Sequence, residues 1–229
     1  MLVADSLGQL ALTLSAYAEL GQQVQSAQAQ ERLAQGRTDF DGSLVQLLRR
    51  IGKQLPATDT ERLQQRWRAV RDATFTRPSL EIGALMNDIG EDMAAQLRTL
   101  VAARPSGVPR PPGALQPGAA TLSQPQASQP LERAWQRQKL QQLAKEGLYG
   151  CWRTDLANWQ QMELLRTEFS RWLGGQEKRL SQVLWVQYNA QWNLLTTSLP
   201  REGAGCTRQA MQSLVSTTDR LAQMIASLQ

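Results

Sequence analysis

Residues 79–100, SLEIGALMNDIGEDMAAQLRTL, carry the pattern that decides the fold. Apolar side chains recur every three or four positions along this stretch, at Ile82, Met86, Ile89, Met93, Leu97 and Leu100. This period is that of an α-helix with one buried face, because a half-buried strand would alternate at every second residue. The stretch therefore predicts a long amphipathic helix.

The same helical period continues on both sides of this stretch. It recurs in residues 7–24, 40–55, 63–74, 131–150, 152–173, 180–199 and 211–228. Pro56, Pro78 and Pro200 fall between such stretches, where a helix must stop. Thr58 with Glu61 forms the pattern of a capping box at the start of the third helix. The sequence predicts an all-α protein of two antiparallel bundles with four helices each.

A proline-rich segment separates the two predicted bundles. Residues 105–130 contain seven of the ten prolines in the chain. Such a composition forms neither a helix nor a central strand and buries no core. We expect one bundle in residues 1–104, a flexible linker in residues 105–130 and a second bundle in residues 131–229.

The two halves share a loose internal repeat. Phe40 is followed by an apolar residue four positions on, as is Phe169, and a tryptophan on a similar apolar stripe follows each of them, Trp67 and Trp192. We interpret these four aromatic residues as core residues of a duplicated unit.

The composition argues against several classes of function. The chain contains no histidine and only two cysteines, so it lacks the usual general base and the usual zinc ligands. We expect no catalytic activity, no metal and no cofactor. Of the net charge of +5, +4 lies in residues 131–229, spread without a dense basic run, which argues against nucleic-acid binding. No stretch approaches the roughly 20 apolar residues of a membrane span, and the N-terminus lacks the features of a secretory signal.

Several short motifs resemble one known family. Two of these motifs are GRTDFDGSLVQLL (36–48) and LQQRWRAVRDA (63–73). They resemble the second and third helices of the N-terminal domain of type IV pili methyl-accepting chemotaxis transducers. The same domain occurs in nitrate-type sensor kinases. Residues 79–100 match the family's long helix in composition. The likeness covers about residues 5–103, and WQRQKLQQLAKEG (135–147) extends it weakly into the second half.

This resemblance implies a four-helix extracytoplasmic sensor module. Such a module lies between two membrane helices, which are absent from this chain, and passes a small helix displacement to a cytoplasmic signalling domain. The family's nitrate sensors use an arginine in the first helix, but here the matching stretch keeps Leu14 and Ser15, and the first arginine is Arg32. An anion on an apolar helix face needs a nearby cation or helix N-termini, so the sequence argues against nitrate at that position.

The two cysteines are predicted to form a disulfide. Cys151 falls in the predicted turn between the fifth and sixth helices, and Cys206 falls between the seventh and eighth. In an up-and-down bundle these turns lie at the same end, within reach of a bridge. Such a bridge would stabilise the fold by on the order of 3–4 kcal/mol and requires an oxidising compartment. The alternative is two reduced thiols in a cytoplasmic protein.

The remaining aromatic residues suggest where a partner binds. Trp172 and Trp185 lie one position off the apolar stripes and are candidates for an interface or a ligand cleft. The predicted function is extracytoplasmic, non-enzymatic sensing of an unknown small ligand or partner protein, with a homodimer as one option. One alternative is a periplasmic scaffold or accessory protein of a pilus or secretion assembly. Another is a cytoplasmic basic helical protein that binds single-stranded nucleic acid.

Overall fold

The computed structural model describes residues 2–22, 27–52, 55–102 and 129–228. Within these ranges every regular element is helical, which confirms the predicted all-α class. The helices are α1 (Leu2–Gly21), α2 (Ala27–Ile51), α3 (Ala57–Ala73), α4 (Leu80–Ala102), α5 (Gln129–Trp152), α6 (Trp159–Gln176), α7 (Gln182–Ser198) and α8 (Arg208–Ala226). A short 3-10 helix, Thr154–Leu156, lies between α5 and α6.

Most of the predicted linker lies outside the described residues, but its last two residues belong to α5. Gln129 and Pro130 form the first turn of that helix. Proline is well tolerated there, because the N–H that it lacks would have no partner within the helix.

Several helix ends differ from the sequence-based expectation. The capping box at Thr58 was wrong: α3 begins at Ala57 after Pro56, and no side chain caps it. Cys151 lies in the last turn of α5 and not in the following loop, because α5 continues to Trp152. Proline explains the first difference, since its fixed φ starts the helix one residue before Thr58. Val24, at the end of the first predicted stripe, lies outside the described residues.

The first helix of each half lies at the centre of the molecule. The helices α1 and α5 pack against each other; α1 also contacts α2 and α4, while α5 also contacts α6 and α8. In both halves the third helix packs on the fourth. Buried side chains from all eight helices form one connected hydrophobic core. The two halves are therefore in direct contact, a point that the sequence had left open.

The aromatic repeat has the same geometry in both halves. The rings of Phe40 and Trp67 lie 4.3 Å apart between centroids, and those of Phe169 and Trp192 lie 4.6 Å apart. Each indole N–H donates a hydrogen bond to the residue that follows the phenylalanine. Trp67 donates to Asp41, and Trp192 donates to Ser170 at 3.1 Å. The four aromatic side chains are buried, so each half has the same aromatic pair in its core.

Trp152, at the end of α5, packs against α1 and α4 in the first half of the chain. Its indole ring lies against Gly21 of α1 and Gly83 of α4, so closely that a methyl group at either glycine would overlap the ring. Its ring centroid lies 6.0 Å from that of Tyr17. The two glycines therefore make room for a large side chain at the junction of α1, α4 and α5.

A buried cluster of charges also joins the halves. Lys145 of α5, which is 1% exposed, forms ion pairs with Glu91 of α4 and with its neighbour Glu146. The amide of Gln142 donates to both carboxylates at 3.0 Å. Burial alone would raise the pKa of Glu91, but the Lys145 charge and these hydrogen bonds hold it below its ordinary value. The cluster ties α4 to α5, and each of its three charged groups is hydrogen-bonded, which favours the burial of charge.

Candidate functional site

A polar groove is lined by residues of α1, α2 and α8. It has a volume of about 740 Å³, and its lining combines four glutamines, four charged residues and two serines. The lining residues are Glu19, Gln28, Arg32, Gln209, Gln212, Ser213, Val215, Ser216, Asp219, Arg220 and Gln223. Its walls come from both halves of the chain, so anything bound there would contact helices of both.

The groove owes its position to the ends of two helices. Glu19 lies in the last turn of α1, and Arg32 lies near the start of α2, and the two side chains form an ion pair. The side chain of Glu19 is almost completely buried, while that of Arg32 is about one quarter exposed. The pair therefore fixes the wall that α1 and α2 present to α8.

Asp219 of α8 faces this ion pair. Burial raises the pKa of Asp219; the Arg32 charge opposes the rise and the Glu19 charge adds to it. The carboxyl groups of Glu19 and Asp219 thus share one nearby guanidinium group, that of Arg32, and burial disfavours the ionised form of Asp219. Arg220, the next residue on α8, is exposed at the groove rim.

The groove narrows towards a small inner end with an apolar floor. This inner end has a volume of about 20 Å³, and Ser15, Glu19, Arg32 and Asp219 line it together with Leu12, Ala16, Ala144, Leu148, Val215 and Thr218. The volume corresponds to about one water-sized group. The site therefore combines a wide polar mouth with a narrow, mainly apolar recess, and Glu19, Arg32 and Asp219 lie where the two meet.

The residues singled out from the sequence lie elsewhere. The four repeat aromatics are in the core, and Cys151 forms a disulfide with Cys206, with a Cα–Cα distance of 5.0 Å. The disulfide joins the last turn of α5 to the loop between α7 and α8. It borders a second surface cleft and not the polar groove.

The two candidate interface tryptophans are both half-buried. Trp172 packs on Phe169 with ring centroids 5.2 Å apart and lines a cleft between α5 and α6. Trp185 packs against the edge of the hydrophobic core. These positions leave part of each ring accessible, but the structure does not bring the two tryptophans into the groove.

The arginines around Trp67 are largely engaged within the protein. Arg66 donates to Asp92 at 3.0 Å and to Gln96 at 3.1 Å. Arg71 lies 4.0 Å from Asp41 and 3.7 Å from Asp72. Two of the three arginines of LQQRWRAVRDA, Arg66 and Arg71, thus lie beside acidic side chains.

Sequence reasoning missed the groove residues, although one signal pointed to them. The helix α1 contains two charged residues, Asp5 near its start and Glu19 near its end, and its other residues are uncharged. A charge on an otherwise uncharged helix that is buried on most sides requires a partner. The identity of that partner, Arg32, depends on how α2 turns back onto α1 and is not encoded locally.

Comparisons with protein-family models, with curated proteins and with solved structures found no match. Among the described residues, no helix is both long and apolar enough to cross a membrane. The fold and the groove together define a disulfide-bonded, all-helical protein with a polar interhelical cleft.

Proposed function

We propose that this protein is a non-enzymatic sensor module that binds a small polar ligand in the groove between α1, α2 and α8. The observation that carries the proposal is the origin of the groove walls: they come from both halves of the chain. A ligand held there would bind best to one relative position of α8 and the α1–α2 pair. It would therefore shift the population of helix arrangements, which is what a sensor has to do.

The proposed compartment is extracytoplasmic. The Cys151–Cys206 disulfide supports this assignment, because structural disulfides persist in oxidising compartments. The likeness of residues 36–48 and 63–73 to chemotaxis-transducer and nitrate-sensor input domains supports it as well. We further propose that residues 1–104 and 131–229 are two related four-helix units joined by the proline-rich segment, since both contain the same Phe–Trp contact.

A binding screen tests the proposed function. The purified full chain is dialysed against a mixture of small polar metabolites, and the retained compounds are identified by mass spectrometry. We expect at least one compound to be retained and to slow hydrogen exchange in α1, α2 and α8. Ser216→Trp fills the groove and should abolish retention, whereas Thr99→Trp, on the exposed face of α4, should not. Retention by both variants, or by neither variant nor the parent chain, would contradict the proposal.

The scaffold alternative is favoured by one separate surface. The helix α7 contains no charged residue, and Val183, Val186 and Leu194 are 68%, 59% and 51% exposed along it. An uncharged helix with an exposed apolar stripe is typical of a protein–protein contact. Under this alternative, a partner protein or a second copy covers α7, and Val186→Lys abolishes the complex without changing ligand retention.

A further inference from the structure

The inner end of the polar groove has the size and the acceptors for one ammonium group. Its volume of about 20 Å³ is close to that of a single water-sized group. Its lining includes the hydroxyl of Ser15 and the carboxylates of Glu19 and Asp219, three groups that can accept hydrogen bonds. A primary ammonium group has three N–H donors and no acceptor, which matches this set.

Ser15 contributes a buried hydroxyl group to the recess. Its side chain is 7% exposed, and its hydroxyl oxygen has no hydrogen-bond partner in the part of the chain that the structure describes. Buried hydroxyl groups are nearly always hydrogen-bonded, since an unsatisfied one costs about 1–3 kcal/mol. A donor placed in the recess would satisfy it.

The charges in the recess favour a cation. Glu19 and Asp219 contribute two negative charges when ionised, and Arg32 contributes one positive charge, which leaves a net charge of about −1 in a partly buried space. Because Glu19 already pairs with Arg32, Asp219 is the carboxylate whose charge remains to be offset. An ammonium group beside Asp219 would offset it.

The wide mouth of the groove suits a carboxylate at the other end of the same ligand. Arg220 is exposed at the rim, and the amide side chains of Gln209, Gln212 and Gln223 line the same wall. A guanidinium group recognises carboxylates through two parallel N–H donors, and amide N–H groups add further donors.

We propose that the groove binds a small zwitterion of the amino-acid class, with its ammonium group between Ser15, Glu19 and Asp219 and its carboxylate at Arg220. This inference rests on the proposed function, because it assigns a ligand class to the same groove. It goes further by requiring a free amino group in the ligand.

Isothermal titration calorimetry of the full chain tests the ligand class. Each of the twenty amino acids is titrated singly, and every one that binds is titrated again as its N-acetyl derivative, which has no ammonium group. We expect at least one amino acid to bind and its N-acetyl derivative to bind at least about tenfold more weakly, as for loss of a charge-assisted hydrogen bond. Equal affinity of the two forms would overturn the inference, as would the absence of binding by all twenty.

Two variants test whether the amino group of the ligand binds in the recess. Asp219→Asn should weaken binding by at least about tenfold and Ser15→Ala by about threefold or more. Glu61→Gln removes a carboxylate on the exposed face of α3 and should leave the affinity unchanged. If Asp219→Asn binds like the parent chain, the ammonium group is not in the recess and the inference is wrong.

The two proposals fail in different ways. If the metabolite screen retains a compound that Ser216→Trp excludes but no amino acid binds, the groove is a ligand site and the assigned ligand class is wrong. If nothing is retained in either experiment, both proposals are wrong. Retention of an amino acid that requires its free ammonium group and Asp219 supports both.

Discussion

Asp219 shows how a single side chain can oppose folding at one pH and not at another. Burial raises its pKa in the folded protein, with Glu19 of α1 adding to the rise and Arg32 of α2 opposing it. The folded state therefore binds a proton more tightly than the unfolded state does. The contribution of Asp219 to stability is present below its unfolded pKa and is lost as the pH rises through its folded pKa.

Replacing Asp219 should remove this pH dependence. In Asp219→Asn we expect a higher unfolding midpoint than in the parent chain at neutral pH, and a flatter profile as the pH rises above the ordinary pKa of an aspartic acid. Urea unfolding at a series of pH values measures the effect in the absence of ligand. Glu61→Gln is the matched control, and a parallel pH profile for Asp219→Asn and the parent chain would contradict the expectation.

Lys145 is the second residue whose charge should have a measurable effect. Lys145→Met leaves Glu91 and Glu146 without their cation, so we expect a loss of about 3–5 kcal/mol in the free energy of unfolding. Lys139→Met breaks the 2.7 Å ion pair with the partly exposed Glu168 and should cost about 1 kcal/mol or less. Chemical denaturation of both variants compares them, and equal losses would show that the cluster around Lys145 is not stabilising.

At the residue scale, the sequence did not predict which charged side chains are buried. The positions of Lys145 and Glu146 in α5 gave no sign of burial, because charged residues in a helix normally face water. They are buried because α5 packs against α1, α6 and α8, and the partner of Lys145, Glu91 of α4, is far away in the chain. Trp67 and Phe40 were placed in the core from the sequence, since their apolar period identifies the buried face without any knowledge of the neighbouring helix.

At the scale of elements, close packing depends on small residues at a few positions. Gly83→Ala places a methyl group against the ring of Trp152, which is too rigid to bend away. We expect a loss of about 1–3 kcal/mol in stability, as is typical of overpacking. Gly42→Ala in α2 has open space around the new methyl group and should stabilise the protein by about 0.5–1 kcal/mol. The thermal unfolding midpoints of the two variants should therefore shift in opposite directions. A shift in the same direction would contradict the close packing of Trp152 on Gly83.

The helices themselves were predictable, and their partners were not. Residues 79–100 gave α4 almost to the residue, because an apolar stripe with period 3.6 records the environment of one helix. The contact of α1 with α5 could not be predicted from the sequence, since an apolar helix face can pack against many different helices. The end of α5 was also missed, because Cys151 and Trp152 continue the helix through residues that suggested a turn.

At the scale of the whole molecule, the disulfide closes a long loop. It links Cys151 with Cys206, 55 residues apart, and so encloses α6 and α7. The double variant Cys151→Ser/Cys206→Ser should lose about 3–4 kcal/mol of stability through the greater freedom of its unfolded chain. Urea unfolding of the variant and of the oxidised parent chain measures this, and coincident midpoints would show that the bridge contributes nothing.

The central contact between α1 and α5 has a consequence for the history of the chain. Each half uses its first helix to cover the other half, and each holds that helix with its own second and fourth helices. A homodimer whose subunits were fused into one polypeptide and later diverged would have this arrangement. Residues 1–104 and 129–229, produced as separate polypeptides, should then recover native circular dichroism and cooperative unfolding when mixed, and not when kept apart.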